Sequence, residues 1–232
     1  MIDQSYMNGE YLKKNPSWHV EDSIWKARQI IDMLCRNDIQ PKSICDVGCG
    51  AGEILNQLYL QMPEDTTLSG YEVSPQSFEL CKERAKKRLN FYLKDFFQER
   101  DVFFDLVLCI DVLEHLEDYF SFLRNLKGRG RYKIFHVPLD ISVQTVFRGS
   151  PILRARDRNG HLHYFTKEVV IETLKDTSYK ILDYFYTAGS IDLPASLSRT
   201  FLARLPRRAL FALSEDMAVR ILGGYSLLIL TE

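Results

Sequence analysis

The 232-residue chain is predicted to fold as an α/β protein around a doubly wound, largely parallel sheet. Three observations carry this. Segments of strand character alternate with segments of helical periodicity along most of the chain. The stretch Phe104–Ile110 holds a continuous apolar run between Asp105 and Asp111, the pattern of a strand buried on both faces. Finally, a β-favouring run over Ser43–Val47 passes into Gly48, Gly50 and Gly52, after which Ile54, Leu55 and Leu58 take up helical spacing. A strand that turns sharply into a helix points backbone N–H groups and a helix N-terminus at one place, and glycine lets a ligand approach that backbone. The turn therefore calls for a nucleotide-like ligand.

The elements follow in order. Ile24, Trp25, Ala27, Ile30, Ile31 and Leu34 predict a helix over about Glu21–Cys35, with Asp22 or Ser23 as its cap, and Pro41 separates it from the first strand, 43–47. A helix over about Gly52–Met62 ends before Pro63. The second strand, Thr67–Glu72, runs into Ser74-Pro75, a cap followed by proline at the first helical position, and that helix is expected to reach about Lys87. Residues 89–94 read as the third strand and Phe104–Ile110 as the fourth. A helix over about Glu117–Leu126 precedes the fifth strand, Tyr132–Val137, which Pro138 stops. Thr166 can cap a helix through about Lys175, Lys180–Tyr186 is the sixth strand, and Tyr225–Thr231 is the last. The whole reads as a single domain: an N-terminal helical cap (1–40), a core (41–188), a helical insertion (189–224) and the final strand (225–232).

Composition narrows the class. An apolar fraction of 46% suits a sizeable core, and a formal net charge of −1 gives no general attraction to nucleic acid. No basic n-region followed by an apolar run opens the chain, and no apolar run approaches a membrane span, so neither a secretory leader nor a transmembrane helix is expected. The five cysteines form no CxxC pair, and Cys45 and Cys109 lie inside apolar runs. A reduced, cytoplasmic protein is the expectation.

Ligands of such sheets bind at the carboxyl ends of the strands, near the switch in strand order. Gly48–Gly52, Glu72, Asp95 and Asp111 all fall there. Acids then choose among nucleotides. Asp46, two residues before Gly48, is awkward beside a pyrophosphate but suits an ammonium or sulfonium group. Glu72 can accept hydrogen bonds from ribose hydroxyls, a feature that dinucleotide folds share. Asp95, followed by Phe96, offers an acceptor for an adenine amino group beside an aromatic ring.

At these residues the chain resembles the class I S-adenosylmethionine-dependent methyltransferases. Asp46-Val47-Gly48-Cys49-Gly50-Ala51-Gly52 is similar to their first motif and Gly70-Tyr71-Glu72-Val73-Ser74-Pro75 to the next. Lys94-Asp95-Phe96 resembles the adenine motif, and Phe104-Asp105-Leu106-Val107 through Asp111-Val112-Leu113-Glu114-His115 the motif after strand four. The likeness spans roughly Ser43 to Tyr186 and extends to uncharacterised bacterial small-molecule enzymes, some of them in saccharide pathways. It implies a Rossmann-like, three-layer αβα fold with seven strands, mostly parallel and with an antiparallel last strand. It implies S-adenosylmethionine as cofactor and S-adenosylhomocysteine as product. Gly48 and Gly50 would face the methionine part, Glu72 the ribose, Asp95 the adenine, and the 109–111 backbone the amino group. The implied cofactor-binding set is Asp46, Gly48, Cys49, Gly50, Glu72, Val73, Asp95, Phe96, Ile110 and Asp111.

Three regions outside that scaffold are left for the acceptor. Tyr11, Trp18 and His19 are candidates to close the pocket, unless Trp18 only anchors the N-terminus. In the loop after strand five, His136 and Asp140 should lie near the transferred methyl, and His163 and His136 are the candidate general bases for an oxygen nucleophile. His161 and His163 alternate and would share one face of an extended segment. Neither a carboxylate nor a third histidine stands at ligand spacing from them, so no metal is expected. His115, after Glu114, takes either a supporting or a catalytic role. Arg148, Arg154, Arg156 and Arg158 either grip an acidic or phosphorylated group or form a solvated basic loop. In the insertion, apolar residues interleave with arginines, and Pro206 is expected to split two short amphipathic helices. A lid, a homodimer contact or a membrane-surface patch would each use such helices.

The chain is expected to move the methyl of S-adenosylmethionine to a small-molecule acceptor, preferably an oxygen, with a saccharide or related metabolite as the candidate acceptor. Asp111-Val112-Leu113-Glu114 stands where amino-methylating relatives carry Asn-Pro-Pro-Tyr, and no basic or aromatic platform suits RNA. The rivals are a catalytically silent cofactor-binding module and a NAD-dependent dehydrogenase.

Overall fold

In the computed structural model, which describes residues 9–18, 20–193 and 198–232, seven strands form one sheet. They are β1 (Ser43–Val47), β2 (Thr67–Glu72), β3 (Leu89–Leu93), β4 (Phe104–Ile110), β5 (Gly130–Pro138), β6 (Ile181–Thr187) and β7 (Ser226–Thr231), in the order β3-β2-β1-β4-β5-β7-β6. Neighbours among β1 to β5 pair in parallel, and β7 lies antiparallel between β5 and β6. Strand order therefore reverses beside β1, between β1 and β4, which opens a crevice at their carboxyl ends.

The central strands are buried because helices cover both faces. On one side α2 (Val20–Arg36) and α3 (Glu53–Gln61) pack Ala27, Ile30, Met33, Leu34, Leu55 and Leu58 against Ile44, Leu68, Leu106 and Ile134. On the other, α5 (Tyr119–Lys127), α8 (Lys167–Asp176) and α11 (Glu215–Leu222) bring Leu123, Leu126, Val170, Leu174, Ala218 and Val219 onto Cys45, Val107, Phe135 and Ile229. The result is the expected three-layer sandwich. The buried cysteines Cys45, Cys49, Cys81 and Cys109 are free thiols, and burial pushes the Cys45, Cys49 and Cys109 thiols well above their ordinary range.

Several ends depart from expectation. Helix α2 begins at Val20, so Asp22 and Ser23 lie inside its first turn instead of capping it. Helix α4 (Pro75–Lys82) starts as expected on the Ser74 side chain, which accepts the Ser77 N–H, but stops five residues short of Lys87. Between Cys81 and Leu89 only Ala85 is apolar, so further helix would bury nothing. Arg84 pairs instead with Glu53, and Arg88 donates to the carbonyls of Tyr59, Met62 and Thr66. In the insertion, Pro206 does not divide two helices. Helix α10 (Ser198–Leu213) runs through it, and the break falls at Ser214, which caps α11 by accepting the Met217 N–H. A proline removes one helical hydrogen bond, whereas a serine cap starts a new helix outright.

Smaller helices complete the described chain: α1 (Glu10–Lys14), α6 (Val143–Arg148), α7 (Ser150–Arg154) and α9 (Gly189–Asp192). No described helix is long and apolar enough to cross a membrane.

Candidate active site

A cavity of about 710 Å³ lies at the carboxyl ends of β1, β2, β4 and β5. All ten residues of the expected cofactor set line it, from Asp46 and the glycine turn through Glu72, Val73, Asp95 and Phe96 to Ile110 and Asp111. So do His136, His115 and His161, whereas His163 is not part of its wall. His19 lies outside the described residues.

The glycine turn is held from two sides. Tyr71 O accepts the N–H groups of Gly48 and Cys49 at 2.9 and 3.1 Å, and Glu72 Oε2 accepts that of Gly50 at 2.8 Å. Gly50 has φ +56°, and a Cβ there would stand 2.9 Å from Trp18 Cδ1, so the position demands glycine twice over. The other Glu72 oxygen accepts Val73 N–H and Ser74 N–H, both at 2.8 Å. Burial raises the Glu72 pKa, against the pull of those three N–H groups. Glu72 thus ties the first motif to the second.

Asp46 is buried beneath the turn, and its Oδ1 has no hydrogen-bond partner among the described residues. Burial, the Glu72 charge and the Asp111 charge push its pKa up to about 7, with Lys26 opposing them. An unpaired buried carboxyl on a cavity wall is a seat for a cationic group. Asp95 Oδ1 accepts the Phe97 N–H at 2.9 Å, and Phe96 turns its ring into the core, 5.1 Å from that of Tyr71. A cradle that admits no Cβ, an orphaned acid and a carboxylate at the end of β2 fit a nucleoside bearing a positive sulfur.

The opposite wall is assembled from distant segments. Helix α2 contributes Lys26, which pairs with Asp22 at 2.9 Å and with Asp111 at 2.7 Å. His136 Nδ1 meets Asp111 Oδ1 at 2.5 Å and its Nε2 meets Thr187 Oγ1 at 2.9 Å, so both ring nitrogens are engaged. Burial works against charge on Asp111, but His136 and Lys26 prevail and hold its pKa well below the usual carboxylate range. The Trp25 ring stands edge-on to His136 at 6.4 Å, and its indole N–H donates to Asp192 of α9. The N-terminal cap and the insertion therefore meet above His136. Tyr11 and Trp18, with rings 4.9 Å apart, line the same cavity as expected.

Glu114 was not among the expected site residues. Its backbone carbonyl accepts Leu162 N–H at 2.7 Å and His163 N–H at 3.1 Å, which clamps the 160–163 loop to the end of β4. That clamp sets His115 Nδ1 3.1 Å from Gly160 O and brings the His115 and His161 rings to 5.1 Å. His161 Nδ1 bonds Asp140 Oδ2 at 2.7 Å, which leaves Nε2 as the proton-accepting nitrogen. The Glu114 carboxyl is buried, and neither oxygen has a hydrogen-bond partner among the described residues. Burial, then the Asp111 charge, drive its pKa well above the ordinary range. One ligand atom from each of Glu114, His115 and His161 lies within 4.8 Å of the others, a donor set suited to a divalent cation.

His161 and His163 do not share a face. His163 packs on the Tyr119 ring at 4.8 Å and lies near Phe165, with its Nε2 buried and without a hydrogen-bond partner among the described residues. Alternation predicts a shared face only in a strand, and this segment is a loop. The third ligand-type group stands 46 residues upstream, at His115, so local spacing could not find it. The unused signal was the Glu114-His115 pair itself, two ligand-type residues at a strand end.

A family model for a methyltransferase domain matches residues 40–186. A "Ubiquinone biosynthesis O-methyltransferase" of Rickettsia felis is 32% identical over 94 residues, covering 40% of this chain; the chain thus spans only 38% of that relative's length. The protein of the same name from Actinobacillus pleuropneumoniae is 24% identical over 144 residues, 55% of this chain and 60% of that one. Among solved structures, the complex of the Haloferax volcanii Trm112 methyltransferase activator with its putative methyltransferase gives a TM-score of 0.63 at 15% identity, over 97% and 94% of the two chains. Magnesium protoporphyrin IX methyltransferase of Synechocystis PCC 6803, bound to S-adenosylhomocysteine, gives 0.58 at 15%, over 90% and 81%. At these identities the structures attest to the fold, and the matched domain attests to the family. The chain belongs to the methyltransferase-domain family, with S-adenosylmethionine as its cofactor.

Proposed function

We propose that the chain transfers the methyl group of S-adenosylmethionine to a hydroxyl of a small, flat acceptor of the hydroxyarene type. One observation carries this: His161, oriented by Asp140, and the buried Glu114 face a cavity whose wall also carries the aromatic side chains of Tyr11, Trp18, Trp25, Phe97 and Phe122 among polar ones. Such a wall suits a planar ring better than a saccharide. The name of the curated relatives, O-methyltransferases of ubiquinone biosynthesis, supports an oxygen acceptor.

When bound, S-adenosylmethionine supplies an electrophilic methyl on a positive sulfur. Asp46, the Gly48–Gly52 turn, Glu72, Val73, Asp95, Phe96, Ile110 and Asp111 would hold it. Asp46 balances the positive charge, and Glu72 keeps the turn in shape while accepting from ribose hydroxyls. His161 Nε2 takes the acceptor proton, and Asp140 steadies the resulting imidazolium through Nδ1–H, as a carboxylate does for a general-base histidine. Placement of the nucleophile supplies much of the rate. His136, with both nitrogens bonded, positions Asp111 and the end of β6. His163 is a packing residue.

A second reading follows from the donor set: Glu114, His115 and His161 would hold a divalent cation that acidifies the acceptor hydroxyl. Label transfer from methyl-tritiated S-adenosylmethionine to a panel of catechols, phenols and sugars tests both. Label on the hydroxyarenes with rates indifferent to chelation supports the base; rates abolished by EDTA and restored by Mn²⁺ or Zn²⁺ support the metal. Label confined to sugars, or no transfer despite cofactor binding, defeats the proposal.

A further inference from the structure

We propose that the segment 143–158 is a docking face for an anionic membrane surface. Helices α6 and α7 contribute no buried residue, although they are rich in apolar ones. Val143, Val146 and Phe147, at helical spacing, are all exposed, as is Leu153 in α7, and Phe147 keeps 90% of its surface in solvent. An apolar face that adds nothing to the core has been left for something outside the molecule.

Charge identifies the occupant. The same segment carries Arg148, Arg154, Arg156 and Arg158 against a single acid, Asp157, in a chain whose formal net charge is −1. All four arginines are exposed, and among the described residues none is in an ion pair. The segment is nonetheless fastened to the protein: Asn15 Nδ2 donates to Arg158 O at 3.0 Å, and Lys14 Nζ to Asp157 O at 2.8 Å. Guanidinium groups beside exposed valines and a phenylalanine match the phosphate and acyl layers of an anionic bilayer. A second cleft of about 430 Å³, lined by Lys14, Arg154 and Arg158, offers room for a headgroup phosphate.

Position gives the face a use. Asn159, next to Arg158, lines both this cleft and the cofactor cavity, and Asp140, which orients His161, lines the cleft. An acceptor with an apolar tail would thus reach the methyl from the bilayer side. The docking claim itself does not depend on the identity of the acceptor.

Co-sedimentation of the full chain with vesicles tests it. Partition onto phosphatidylcholine–phosphatidylglycerol vesicles should exceed that onto phosphatidylcholine alone by roughly tenfold and fall with salt. Phe147→Asp, and separately the triple change Arg154→Glu, Arg156→Glu and Arg158→Glu, should each abolish most of it. Calorimetric binding of S-adenosylmethionine should stay intact in both, since neither touches that pocket. Equal partition onto the two vesicles, or variants that partition like the parent, overturns the proposal. So does a dimer in sedimentation equilibrium without vesicle binding, which would give the face to a second copy. Vesicle binding that persists in a protein unable to transfer methyl would sink the enzymatic reading and leave this one standing.

Discussion

The two walls of the cavity were built in different ways. The wall proposed to hold the donor comes mainly from short, local pieces, a strand, a glycine turn and two strand-end acids within residues 46–96, joined by Ile110 and Asp111 at the end of β4. Its hydrogen bonds are mostly backbone-anchored, with Glu72 accepting three N–H groups. The opposite wall, proposed to take the acceptor, is drawn from α2, β5, residues 140–161 and α9 and shares Asp111 with the first, its side chains meeting across long sequence separations. A wall made of backbone is fixed once the sheet forms, whereas a wall made of side chains can change its chemistry one residue at a time. That contrast explains how one scaffold serves a common donor and varied acceptors.

The sharpest test of this division is His161→Ala. It should lower kcat with the acceptor found by label transfer by about 10²–10⁴-fold, while calorimetry shows an unchanged affinity for S-adenosylmethionine. A loss of cofactor affinity instead would mean the two walls are not separable. Glu72→Ala should act the opposite way, since three N–H groups lose their acceptor. We expect roughly a hundredfold weaker cofactor binding and about 2 kcal/mol less stability in urea.

Asp46 supplies an intermediate effect. Its pKa is pushed up to about 7, so Asp46 holds a cationic ligand best once it is ionised, and affinity should rise about tenfold from pH 6 to pH 8 and then level. Asp46→Asn should flatten that profile. The same shift sets the sign for stability. The folded state keeps a proton that the unfolded chain releases in the ordinary carboxylate range, so this group's contribution declines as pH rises to 7. The smallest effect belongs to His163→Ala, whose kcat should stay within about threefold of the parent, because packing losses at one site perturb activity only indirectly. A drop matching that of His161→Ala would return the base to His163.

The sheet was readable because its signals are short in range. Continuous apolar runs mark buried strands, and Ser74 and Thr166 cap the helices expected of them. Misreadings arose where a local signal met a wider context. The basic run after Cys81 looked like helix but had nothing apolar to bury, and Pro206 looked like a break but sits inside α10. In the site, alternation tied His161 to His163, but the clamp of Leu162 and His163 onto the Glu114 carbonyl turns the two rings apart and gives His161 to His115.

By itself, then, the sequence determined the fold and the family and picked out ten residues that line one cavity, since each depends on residues a few positions apart whose backbone geometry is local. Tertiary structure alone decided which histidines face the cavity, that Lys26 pairs with Asp111, and that the Glu114 carboxyl is buried without a hydrogen-bond partner among the described residues. Those facts depend on how distant segments pack, and burial and Coulomb interactions at a few ångströms leave no periodic trace in the chain.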